Sequence, residues 1–429
     1  MTAFRAFHDE LIARFGEEAA QARHELFFHA ATPRGWRPKW RQGLRALAAA
    51  ARDLWWLYGA VGPRRGVRAG ELVRVASLPG PSGWRTLARA SAATASIVLL
   101  HPRMGRRLAD GETVIWLLRP SLSALVTRPE TRAGRRATRG EEKIPISALA
   151  VAATAWRRAL WRSAWRRSLP ASPGALLLHN DFDMMNASAI GLGWPTICLQ
   201  HGVPTDEFFP ARADWQVVWG ALSEQAYRAA GVPAERLIVD ALGRGADAAD
   251  PRDQPPSGLA LLSQTHAMIL GRETRSAFVR FADAAAQISG LRVLLHPQEA
   301  TRRTPYRAQA GIRIERPPHR LLTAGAEPPA VVLGLCSTAL LDALIAGHFV
   351  VGLSYPSSGI GVENAAARRV ASPPEIVVDA AAAGALLERL RSDPRARSDL
   401  IARLRNWRRA SFAPSTGGLS GLLARVMPS

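Results

Sequence analysis

The chain has 429 residues, 48% hydrophobic and 21% charged, a balance that excludes a disordered polymer and gives enough length for two packed domains. Its two cysteines, Cys198 and Cys336, lie inside apolar runs without zinc-site spacing; this argues against a disulfide scaffold and reads as two small buried hydrophobes in a reducing compartment. The formal charge of +21, carried almost wholly by arginine, attracts polyanions, either nucleic acid or the anionic inner face of a membrane, unless the arginines only reflect composition and are solvated.

The N-terminus mixes acids and bases and lacks the apolar core of a secretory signal, so the expectation is cytoplasmic. Phe4, Phe7, Leu11 and Phe15 form one apolar stripe of a helix within 4–29. Residues 34–68 are rich in Trp and Arg, and AWRRALWRSAWRR at 155–167 repeats the mixture. Such pairs suit a membrane interface, where indole sits at headgroup depth; the tryptophans of 155–167 do not share one helical face, which suits a core with snorkelling arginines equally well. Residues 1–70 are thus an N-terminal helical segment.

Short β-rich runs follow at 70–78, 96–102, 112–118, 175–180 and 196–202, each succeeded by turn residues or a helical pattern, as in a parallel sheet with crossover helices. They define a first Rossmann-like domain, 71–210. Further runs at 215–220, 237–243, 258–263, 291–297, 312–317, 330–335 and 349–353 define a second, 211–415, with 416–429 as a tail and 250–258 as a surface connection. The apolar stretch 329–353 is long enough for a membrane span, but Ser337, Thr338, Asp342 and His348 interrupt it, and a buried strand–helix–strand unit is the better reading.

Within that stretch, a strand runs into Ser337-Thr338 and a helix that stops at Gly347. Hydroxyls and free amides at such a helix N-terminus grip phosphate, with Asp342 about one turn further in; an ordinary helix cap explains the same residues. LLHP at 294–297 brings His296 and Pro297 to the carboxyl end of the same sheet, where ligands of open α/β sheets bind. TICLQHG at 196–202 ends in His201, a candidate general base or phosphate donor. Between strand and helix at 179–191 stand Asn180, Asp181 and Asp183, whose default role is capping. Asp181, Asp183, Asp206 and Glu207 compete with His201 as the base that deprotonates an acceptor hydroxyl.

Residues 175–355 resemble bacterial GT-B glycosyltransferases of surface-polysaccharide biosynthesis, the group of capsule sialyltransferases, Kdo transferases and glycerophosphate-polymerising enzymes. The similarity runs through TICLQHGV, the WG strand end and AGVP turn, GRG at 243–245, LALLSQT, LLHPQE and LGLCSTALLDALIAGHFVVGL. It implies an α/β GT-B-like fold, two Rossmann-like domains facing a cleft. It also implies that His296 and Ser337-Thr338 hold the phosphate of a nucleotide-sugar, with Ser263-Gln264 near the donor and Gly243-Arg244 at the domain junction. Asp342 stands where such enzymes often carry glutamate, and residues 1–170 match no family pattern.

The function expected is an inverting, metal-independent transfer of sugar from a nucleotide-sugar to a cell-surface glycan or lipid-linked acceptor, with no cofactor. Helix N-terminus and cations would stabilise the leaving phosphate, and the charge would hold the protein peripherally on the inner membrane face. Alternatives on the same fold are a polyol-phosphate transferase or a sugar-nucleotide epimerase. Of another class are a scaffold and a nucleic-acid binder; the scattered arginines speak against nucleic acid.

Overall fold

A computed structural model describes residues 3–32, 35–77, 87, 96–102, 113–126, 144–245, 253–265, 272–287, 291–301, 304–307, 310–354, 365–414 and 417–427. The N-terminal stripe forms α1 (Ala3–Ala20), which bends at Gly16 with φ +81°, and α2 (Arg23–Ala30). The expected single helix is therefore two, broken at Gln21-Ala22. Phe4, Phe7 and Leu11 are buried with Leu26 and Phe27 of α2, so the periodicity read from sequence is a packing face. The helix α3 (Lys39–Leu54) follows.

The first sheet contains β1 (Leu72–Ala76), β2 (Ser96–Leu100) and β3 (Val114–Ile115). After α4 (Ser123–Val126) and the long α5 (Ala148–Ser168) come β4 (Ala175–Leu178), α6 (Met184–Ala189) and β5 (Thr196–Leu199). The unit closes with β6 (Trp215–Val218), α7 (Ala221–Ala229) and β7 (Leu237–Val239). The strands run in the order β3-β2-β1-β4-β5-β6-β7, all parallel. This corrects one expectation: the strands at 215–218 and 237–239 belong to the first sheet, where Ile197 pairs with Trp215 and Gln216 with Leu237. The boundary between the sheets therefore falls after Val239, not at 210. Runs of Leu, Ile and Val suit strands buried on both faces, and Leu176, Leu177 and Leu178 are all buried. Trp161 and Trp165 of α5 sit in this core, as the core reading of 155–167 requires.

The second sheet contains β8 (Leu259–Leu262), β9 (Leu291–Leu294), β10 (Ile312–Glu315), β11 (Val331–Gly334), β12 (Phe349–Leu353) and β13 (Ile376–Val377). It is parallel in the order β10-β9-β8-β11-β12-β13. Its helices are α8 (Arg272–Ala285), α9 (Pro297–Ala300), α10 (Thr338–Ile345), α11 (Ala365–Val370), α12 (Ala380–Ser392) and α13 (Pro394–Ser411). The 329–353 stretch is the strand–helix–strand unit expected of it, and among the described residues no helix is long and apolar enough to cross a membrane. Part of the connection expected at 250–258 lies outside the described residues. The architecture is two Rossmann-like parallel sheets, the GT-B-like fold class expected.

The chain then returns to the first domain. Ala413 N–H donates to Trp219 O at 2.8 Å, and Gly220 meets the Ser411 backbone so closely that a Cβ there would lie 2.6 Å from it. The expected tail holds a last helix, α14 (Gly418–Val426), whose Leu419, Leu422 and Leu423 pack under the first sheet with Leu72, Leu100 and Val217.

Candidate functional site

Each sheet reverses its strand order once, β1 beside β4 in the first and β8 beside β11 in the second, and ligands of open α/β sheets bind at the carboxyl ends beside such reversals. In the second domain, Ser263 and Gln264 leave β8 and Ser337 and Thr338 leave β11, so the sequence candidates converge on this point. The Gln264 amide spans the gap, donating to Cys336 O at 3.0 Å and accepting from Leu335 N at 3.1 Å. Ser263 Oγ bonds Tyr306 OH at 2.8 Å. Both side chains are buried and shape the turn that feeds α10.

At the start of α10, Ser337 is the N-cap, its Oγ accepting from Ala339 N at 3.2 Å. Thr338 faces the other domain: its Oγ1 accepts from Val203 N at 2.9 Å, and a Cβ on Gly202 would come within 3.0 Å of it. Glycine at 202 thus leaves room for the close approach of the two domains. His296 caps α9, with Nδ1 accepting from Gln298 N at 3.2 Å while its backbone N–H donates to Glu299 Oε2 at 3.1 Å. Pro297 occupies the first helical position, where its missing N–H costs nothing.

Asp342 is engaged across the domain boundary: its Oδ1 accepts from Arg244. Arg244 is buried, with its guanidinium 4.2 Å from the Trp219 ring centre and 5.8 Å from that of Phe412. Gly243, at φ +73°, follows Leu242, also at positive φ, and turns the chain out of the first sheet to make this pair possible.

On the facing edge of the first domain, His201 follows β5 and His179 follows β4, their rings 5.7 Å apart. Phe208 stacks on His201 at 5.3 Å, and His201 Nδ1 is buried without a hydrogen-bond partner among the described residues. Burial first, and then the neighbouring His179, push the His201 pKa down to about 4, so this imidazole is neutral at pH 7. Glu207 is kept ionised: burial opposes the charge, but His24, 3.4 Å away, and the Thr205 hydroxyl at 3.1 Å outweigh it.

The two aspartates are engaged elsewhere. Asp181 Oδ2 accepts from Arg212 N, Ala213 N and Gln216 Nε2 at 2.5, 3.1 and 3.0 Å. Asp183 caps α6 through Asn186 N at 3.0 Å and accepts from Ser77 Oγ. Asp183 takes the capping role expected of it, whereas Asp181 does not cap the helix but ties the 212–213 backbone and Gln216 to the end of β4. Asp206 opens a single 3₁₀ turn, 206–208, that carries Glu207 and Phe208.

Sequence reasoning missed His179, although ALLLHN repeats the strand-then-histidine pattern of LLHP and CLQHG. It also missed His24, which α2 brings against Phe182 at 4.6 Å and against Glu207; no local pattern marks a residue that far away in sequence. Among the described residues no group of three or more His, Cys, Asp or Glu side chains is placed to hold a metal ion. A hollow lined by Ser257, Leu291, Gly311 and Ala330 lies at the amino ends of the second sheet, away from all these residues.

No family model and no curated protein matches the sequence. Among solved structures, the chain is similar to Anabaena HepE in complex with UDP and glucose, with 10% identity, 83% of this chain and 99% of that one covered, and a TM-score of 0.46. It is similar to the glycosyltransferase of kitacinnamycin, with 13% identity, 86% and 100% covered and a TM-score of 0.47. It is also similar to the wall teichoic acid polymerase TagF, with 10% identity, 91% and 96% covered and a TM-score of 0.44. At these scores the fold class rests on the strand order and parallel crossovers of the chain itself.

Proposed function

We propose that the chain is a glycosyltransferase that moves a sugar from a nucleotide-sugar to a glycan or lipid-linked acceptor of surface-polysaccharide biosynthesis, at the inner face of a membrane. The observation that carries the reading is the Val203–Thr338 hydrogen bond. It sets the His201 loop against the N-terminus of α10, so a neutral imidazole and a helix end suited to phosphate lie at the same domain boundary. A pyrophosphate at that end would meet the positive end of the helix dipole, displacing the Ser337 Oγ cap from Ala339 N, with His296 at the neighbouring strand end as a further donor.

In this reading His201, held unprotonated, accepts the proton of the attacking acceptor hydroxyl, and Glu207 stabilises the imidazolium that forms. Departure of the nucleoside diphosphate or monophosphate is then eased by the helix end. Inversion and independence from metal belong to the same proposal.

The test is a thermal-shift series with CMP, CDP, UDP, GDP and ADP on the native chain, His296→Ala and Thr338→Val, because a ligand that binds only the folded state raises its stability. Selective stabilisation by one nucleotide, reduced in both variants and insensitive to EDTA, supports the reading and names the donor class. No shift with any nucleotide would overturn it.

A further inference from the structure

The first domain carries an apolar face that no other part of the described chain covers. On α3 and the turn that continues it, Trp40, Leu44, Leu47 and Trp55 are exposed by 60, 56, 44 and 65%, while the opposite side of the helix buries Ala46, Ala49 and Ala50. These four positions recur at three-, four- and eight-residue intervals and form one stripe roughly 22 Å long at 1.5 Å per residue. The stripe continues sideways. Gly43 lies so close to Leu149 of α5 that a Cβ there would be 2.8 Å from its side chain, and Leu149 is itself half exposed. Two turns along α5, Trp156 donates to Leu125 O of α4 at 3.3 Å, and α4 ends on Val126, 80% exposed.

The charges on this face have one sign. Arg41, Arg45 and Arg52 stand exposed among the apolar positions of α3; Arg41 lies 5.0 Å from the Trp40 ring centre and Arg52 4.9 Å from that of Trp56. The one carboxylate of α3, Asp53, is buried against Arg157. Neither α4 nor residues 148–156 of α5 contain an acid. A solvated helix face does not leave two tryptophans and two leucines in water, and three arginines with no carboxylate among them require a surface of opposite charge. Apolar and indole side chains interleaved with arginine, with no carboxylate among them, complement an anionic bilayer surface: the rings sit at headgroup depth and each cation gains from the negative surface potential.

We propose that this α3–α4–α5 face is where the chain lies on an anionic membrane, with Trp40, Leu44 and Leu47 in the interface and Arg41, Arg45 and Arg52 on lipid phosphates. It takes the membrane placement of the proposed function and names the surface that makes it, and it does not depend on the transfer chemistry.

The experiment is co-sedimentation of the full chain with vesicles of phosphatidylcholine alone or with about 30% phosphatidylglycerol, at low and high salt. The native chain is expected to bind the anionic vesicles and to be released by salt. Leu44→Gln/Leu47→Gln should weaken that binding about tenfold or more, because both leucines leave the interface. Arg41→Glu/Arg45→Glu should weaken it at least as much and flatten its salt dependence. These side chains are exposed, so both variants should melt like the native chain and keep its nucleotide response, which separates this proposal from the donor site. Equal binding to neutral vesicles, or unchanged binding in both variants, would overturn it. So would a dimer in solution that the leucine variant dissolves, since a second copy would then be the occupant.

Discussion

Arg157 shows what a buried ion contributes in this fold. Its Nε donates to Asp53 Oδ2 at 2.9 Å and its Nη1 lies 3.3 Å from Glu25, while Trp161 Nε1 reaches the same Asp53 oxygen at 2.8 Å. Three helices, α2, α3 and α5, are fastened at one point. Asp53→Ala leaves the guanidinium buried and half paired, and is expected to cost about 3–5 kcal/mol in urea unfolding, against about 1 kcal/mol for Ser337→Ala, which removes only a cap. Burial also holds two histidines neutral: His29 and His201 both titrate near pH 4 in the folded chain, against about 6.5 when unfolded. Between those values the unfolded state binds more protons, so stability is fully present above pH 6.5 and is lost as pH falls towards 4. The slope is up to about 1.4 kcal/mol per pH unit for each histidine. Melting curves from pH 7 to 4.5 should show this decline, and His29→Asn should make it shallower; a flat profile would mean that neither ring is held neutral.

At the scale of elements, strands and helices were legible because apolar runs and turn residues are local signals, and the strand–helix–strand unit at 329–353 is the clearest case. Partners were not legible. Trp215–Val218 and Leu237–Val239 read as strands from sequence, but a parallel strand pairs at a distance, and nothing within either run says that Cys198 and Gln216 are its neighbours. The last fourteen residues show the same blindness: GLSGLLARV is too short to announce a packing partner, yet Leu419 N–H donates to Asp240 Oδ2 at 3.1 Å and Gly418 sits against Ile238 and Val239. Because Leu422 is fully buried under the first sheet, Leu422→Ala is expected to lose about 2–5 kcal/mol. Its denaturant midpoint should therefore fall as for a core mutant. A change below about 0.5 kcal/mol, as at surface sites, would mean that α14 is a dispensable tail. The candidate site follows the same division: strand-end residues such as His201, His296 and Ser337 are visible one at a time, whereas the roles of Gln264 and Asp342 depend on Cys336 and Arg244, which only folding brings near.

For the molecule as a whole, two of the polar contacts between the domains among the described residues begin at α10. Thr338 accepts from Val203 N, and Asp342 pairs with Arg244, whose guanidinium lies between Trp219 and Phe412. One belongs to the His201 loop and the other to the junction after β7, so the helix end that would hold phosphate also holds the domains together. Thr338→Val keeps the side-chain volume but leaves the buried Val203 N–H without its acceptor, a cost of about 1–3 kcal/mol. That cost is borne only when the cleft is closed, because an open cleft lets water satisfy the amide. The variant should therefore shift the population towards open forms. Small-angle scattering is expected to give a larger radius of gyration for Thr338→Val than for the native chain, with the difference reduced at saturating nucleotide. Identical radii in both states would place the closure energy elsewhere, and Arg244→Ala would then be the variant to compare, since it removes the ion pair and the stacking on Trp219 together.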